Sequence, residues 1–207
     1  MRRLARCRRA AALLAVAWIA PGCTATVTPP ATVAQPVIVH LLREAMHTGL
    51  VLPPASAGEP YVEYGFGEWE WFARGNDAWY RVFPTVLWPT QGTLGARPFA
   101  ASDETGLRRA ASWAELTQLV VEAAEVDALR ARLAATMDGG RSDAVTRPDL
   151  GWTFVPDDAS YWFANTCADV VAAWCEELGC TVSWAPICTS LTPAVALRVA
   201  AATQQIR

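Results

Sequence analysis

Two side chains in this sequence are of types that can act together as nucleophile and base. The thiol is Cys167, inside the stretch YWFANTCADVVAAWCEELG at residues 161–179. Val170, Val171, Trp174 and Leu178 recur there at the three-and-four spacing of one buried helix face. Asn165 or Thr166 suits the N-cap, Asp169 falls in the first turn, and Gly179 is a C-terminal stop. The spacing therefore predicts a helix that starts at or beside Cys167. Unpaired N–H groups and the helix dipole at such an end favour a thiolate, which is the nucleophilic form.

A nucleophile of this kind needs a base, and the chain has only two histidines. His40 lies inside the apolar run VIVHLL at 37–42 and reads as a packed strand residue. His47 stands before Thr48-Gly49 and leads into a second apolar run, LVL at 50–52. It is the one partner available to Cys167. A carboxylate to orient the imidazole is offered by YVEYGFGEWEWF, where Glu63 is the first choice and Glu68 the alternative. That segment reads as a strand with a glycine-rich bend, with Tyr61 and Glu63 on one side and Val62 and Tyr64 on the other. Its rings are either core or the walls of a substrate groove. Asn165 and Thr166, at the head of the Cys167 helix, are candidates for capping it and for stabilising an oxyanion.

The remaining elements must hold these residues in place. Residues 78–89 form an apolar aromatic segment, partly helical. Residues 92–106 are polar and turn-rich. Ser112 and Glu115 match a capping box, but the dense β-branched run at 117–122 predicts a strand. Residues 125–137 form an amphipathic helix with Val126, Leu129, Leu133 and Met137 on one face. Residues 141–158 read as a long loop before the Cys167 helix, residues 180–184 as a short strand, and residues 194–202 as a C-terminal helix. The class is α+β, an antiparallel sheet with packed helices.

The chain has 207 residues, 53% hydrophobic and 18% charged, which suits one domain with a sizeable core and argues against disorder. A net charge of −3 gives no global field for nucleic acid. No P-loop, dinucleotide fingerprint or metal-spaced His/Cys cluster is present, so neither a cofactor nor a metal is expected. Residues 1–23 combine a basic head, MRRLARCRR, with an apolar stretch too short to span a bilayer, and read as an export signal. Gly22-Cys23 resembles a bacterial lipoprotein cleavage site, which would make Cys23 a lipidated first residue and anchor the protein to a membrane. Residues 24–36 (TATVTPPATVAQP) read as an unfolded Pro/Thr/Ala linker, with the domain over 37–207.

An exported chain makes disulfides a real prospect. Cys167 and Cys175 are eight residues apart on one helix, about 12 Å along its axis, beyond the roughly 4.4–6.8 Å between Cα atoms that a disulfide requires. One bridge among Cys175, Cys180 and Cys188 is reasonable. A bridge from Cys167 to Cys180 or Cys188 stays open, with a free Cys167 favoured.

MHTGLVLP, YVEYGFGEWEWF and ANTCADVVAAWCEELG together resemble a bacterial family of conserved hypothetical proteins, a domain of unknown function noted near urease gene clusters. Met46 stands where that family usually has tryptophan. More distantly, a strand with histidine, a second strand with a polar residue and a helix starting at cysteine is similar to permuted papain-like enzymes. These include NlpC-type cell-wall peptidases and the lecithin:retinol acyltransferase group. The resemblance implies a permuted papain-like fold with Cys167 as nucleophile, His47 as base and Glu63 or Glu68 as third residue. It implies hydrolysis or acyl transfer at an amide or ester, on a small-molecule, lipid or cell-wall peptide substrate, in the periplasm or at a membrane. The alternative is a non-catalytic exported lipoprotein whose papain-like scaffold binds a ligand or partner.

Overall fold

The computed structural model describes residues 24–45, 47–76, 78, 87–183 and 190–193. The strands are β1 (Thr24–Thr28), β2 (Pro36–Glu44), β3 (His47–Leu52), β4 (Val62–Glu68), β5 (Thr90–Pro98), β6 (Glu115–Glu122), β7 (Val145–Arg147), β8 (Trp152–Tyr161), β9 (Thr181–Ser183) and β10 (Ser190–Pro193). The helices are α1 (Glu104–Ala110), α2 (Ala123–Gly139) and α3 (Cys167–Glu177). Seven strands form one antiparallel sheet in the order β6-β2-β3-β4-β5-β8-β7, and β10-β1-β9 form a smaller one. The α+β class with a large antiparallel sheet is thus present.

Register fixes which residues share a face. Leu50 pairs with Tyr64 and Val51 with Glu63, and successive side chains alternate. Leu50, Leu52 and Tyr64 join the main core with Val126, Leu129 and Leu133 of α2 and Ala168, Val171 and Trp174 of α3. His47, Gly49, Val51, Glu63 and Gly65 lie on the other face by the same alternation, where Val51 packs with Leu42, Phe99 and Leu107. The division expected across β4, Tyr61 and Glu63 against Val62 and Tyr64, holds.

The helix carrying Cys167 forms for the reasons its spacing gives. Thr166 is the N-cap, its hydroxyl accepting the Asp169 N–H, while the Asp169 carboxylate takes the Thr166 N–H at 2.8 Å, a reciprocal capping box. At the other end Gly179 adopts φ +79°, a left-handed turn that glycine enters without penalty.

Several expectations are corrected. Residues 141–158 are not a loop: β7 lies within them and β8 begins there, with Pro156 accommodated beside a register shift at Gln91/Gly92. Residues 92–106 are mostly β5 and the start of α1, whose cap is Asp103, accepting the Gly106 N–H at 2.7 Å. Part of the presumed linker is structured, because Thr24–Thr28 is the central strand of the small sheet and Ala25 and Val27 are fully buried. The export segment at 1–23 with Cys23, the C-terminal helix at 194–202 and most of 78–89 lie outside the described residues. No described helix is long and apolar enough to cross a membrane.

Candidate active site

Cys167 is the first residue of α3 and His47 the first residue of β3, and the fold brings these two starting points together. Cys167 is 6% exposed and a free thiol. The His47 side chain is 12% exposed, and its Nε2 lies 3.3 Å from Oε1 of Glu63, which is completely buried. Burial alone would lower the imidazole's pKa. The Cys167 and Glu63 side chains, both acting at hydrogen-bonding range, outweigh burial and raise it to about 9. Neither ring nitrogen has an aligned hydrogen bond, so the three groups are adjacent but loosely set, as catalytic hydrogen bonds often are without substrate.

Glycines make this arrangement possible. A Cβ at Gly49 would collide with the Glu63 carboxylate, and one at Gly65 would stand 2.7 Å from Cε1 of His47. The two side chains therefore lie flat over bare backbone on neighbouring strands. Trp152 meets the His47 ring edge-on, with centroids 5.7 Å apart, and limits its tilt.

Glu63 has a second partner that the sequence did not reveal. Its Oε2 accepts from Arg97 Nε at 2.9 Å and Nη2 at 2.5 Å. The guanidinium lies 4.4 Å from the Trp113 ring centroid and 4.7 Å from that of Trp152. A buried carboxylate needs such compensation, and the fork orients Oε1 toward His47. No spacing marks Arg97 in advance. Trp152 carried a faint signal as part of GWTF inside a supposed loop.

The other candidates fall elsewhere. Glu68 caps the wide π-helical turn Trp69–Ala73, its carboxylate accepting the Trp71 N–H at 2.6 Å. It is not among the groups acting on His47. Burial, opposed by the Trp71 N–H, raises its pKa. Asn165 donates its side-chain amide to the Ser160 carbonyl at 2.6 Å, which ties down the turn before α3. With Thr166 capping Asp169, the N–H groups of Cys167 and Ala168 occupy the open end of the helix, where backbone donors lack intrahelical partners.

His40 behaves as a packed strand histidine. It is fully buried, 3.8 Å from Glu104, and burial outweighs that carboxylate to depress its pKa to about 4. Burial also pushes the Cys180 thiol up to about 11 and that of Cys175 well above the ordinary range, which disfavours the thiolate at both in the folded protein. Tyr161 lies near Cys167, and burial, reinforced electrostatically by the neighbouring Cys167, Asp169 and Glu68 side chains, raises the pKa of its phenol.

A cavity of about 160 Å³ opens beside His47, walled by Phe66, Phe72, Trp152 and Phe154, with Glu44 and Arg97 as its charged members. Among the described residues, no three His, Cys, Asp or Glu side chains are grouped to hold a metal ion. No family model, curated protein or solved structure matches this chain.

Proposed function

We propose that the protein is a cysteine hydrolase or acyltransferase, with Cys167 as nucleophile, His47 as acid–base and Glu63 as the residue that orients it. One observation carries the reading. His47 is bracketed by a thiol at a helix start and by a fully buried carboxylate, from elements more than a hundred residues apart. The order histidine strand, carboxylate strand, cysteine helix supports a permuted papain-like arrangement.

The reaction follows from the proton positions. With its pKa raised to about 9 by the Cys167 and Glu63 side chains, His47 is an imidazolium at neutral pH and the charged partner of the Cys167 sulfur. Cys167 Sγ attacks the acyl carbon, and the carbonyl electron pair moves onto oxygen. The N–H groups of Cys167 and Ala168 face that oxyanion; one such donor contributes about 3 kcal/mol in known cases. On collapse, the C–N or C–O bond breaks and His47 gives its proton to the leaving group. The neutral imidazole then deprotonates water or another acceptor, which attacks the thioester and releases the thiolate. Glu63, held by Arg97, stabilises the imidazolium and fixes its orientation.

The cavity beside His47 is of the size that holds a single six-membered ring. Its lining includes His47 but not Cys167, so it offers room for part of a substrate beside the acid–base residue. The basic-then-apolar N-terminus and Gly22-Cys23 support export and lipid anchoring at Cys23.

An activated ester such as p-nitrophenyl acetate tests the chemistry. Wild type should release nitrophenolate and carry an acetyl group on Cys167 by mass spectrometry, while Cys167→Ala and His47→Ala should fall at least about 100-fold, the typical worth of a general base. Acylation elsewhere, or equal rates in all three proteins, would favour a non-catalytic binding scaffold.

A further inference from the structure

The far end of α3 carries a second pair of reactive groups. The Gly179 N–H donates to the Glu176 carbonyl at 2.9 Å, and the Cys180 N–H donates to the Cys175 carbonyl at 3.0 Å. With Gly179 left-handed, these two bonds are the complete Schellman closure of a helix, a motif in which the two outer residues face each other. Here both outer residues are cysteines. The backbone hydrogen bond joining them limits their Cα separation to roughly 7 Å at full extension by standard bond lengths, an upper bound beside the range of about 4.4–6.8 Å that a disulfide spans, and any bend in that path shortens it. Both thiols are free and nearly inaccessible, at 0% and 6% exposure.

We propose that Cys175 and Cys180 form a disulfide when this chain folds in an oxidising medium. Two thiols lose two protons and two electrons, and one S–S bond forms. The oxidant is another disulfide, oxidised glutathione or a disulfide oxidoreductase, which is released as two thiols after a mixed-disulfide intermediate. In the folded protein both groups are buried and hold little thiolate, so exchange belongs to the folding chain, before the helix end is covered. The bridge clamps the end of α3 to the start of β9. It lies about 12 Å along the helix axis from Cys167 and leaves that thiol free.

The test is refolding of the reduced, denatured protein in a mixture of reduced and oxidised glutathione, followed by alkylation. Cleavage after glutamate and aromatic residues separates Cys167, Cys175, Cys180 and Cys188 onto four peptides. The proposal predicts the Cys175 and Cys180 peptides joined, the protein lighter by two hydrogens, and Cys167 alkylated. The link persists in Cys188→Ser. The oxidised protein unfolds at higher denaturant than the reduced one, a difference absent from the Cys175→Ser/Cys180→Ser double variant. Alkylation of both cysteines after refolding, or a link from Cys180 to Cys188 or Cys167, would overturn it. None of these outcomes depends on Cys167 being a nucleophile.

Discussion

Glu63 carries two obligations at once, and its energetics follow from both. It is fully buried, forks with Arg97 and faces His47. Glu63→Gln leaves the guanidinium without its carboxylate and should destabilise the fold by about 3 kcal/mol, the usual cost of breaking a buried pair. The two histidines then act on opposite arms of the stability curve. The folded-state pKa of His47 is raised from 6.5 to about 9, so its contribution is complete below pH 6.5 and is lost as pH rises through 9. The folded-state pKa of His40 is depressed to about 4, so its contribution is present above pH 6.5 and declines as pH falls toward 4. Urea unfolding from pH 4 to 10 should show the alkaline arm flattened in His47→Gln and the acid arm flattened in His40→Gln. Parallel curves for wild type and both variants would refute these assignments.

At the scale of elements, the site depends on two strands keeping bare backbone beneath large side chains. Gly65→Ala places a methyl group against the His47 ring, so it should displace the imidazole while strands β3 and β4 remain paired. Ester turnover should fall about 100-fold or more, with the circular dichroism spectrum retained. The trio Cys167, His47 and Glu63 was legible because each belongs to a strong local pattern: a capped amphipathic helix, a rare histidine at a strand head, and an alternating strand. The long strand β8 was not, because Pro148, Gly151 and Pro156 signal turns and its pairing with β5, which overrides them, is non-local. Helix α1 is only seven residues long and contains Gly106, too little periodicity to register. Glu68 looked equivalent to Glu63 until the chain turned at Trp69 and claimed it as a cap.

The molecule as a whole begins earlier than its composition suggests. In TATVT the alternation that buries Ala25 and Val27 is masked by flanking proline and threonine, yet β1 pairs with both β9 and β10 and its side chains enter the main core. A chain starting at residue 37 should therefore be clearly less stable than one starting at 24, and Val27→Ala alone should cost about 2 kcal/mol, as read by chemical denaturation. Cys167 and His47 meet where α3 and β3 begin. The rate of iodoacetamide alkylation at Cys167 between pH 5 and 10, in wild type beside His47→Ala, tests whether the two act as a pair. Cys167 in wild type should label fast at neutral pH and at least about tenfold more slowly in the variant, whose rate should climb only toward the ordinary thiol range near pH 8.5. Equal rates and equal pH dependence in the two proteins would contradict it.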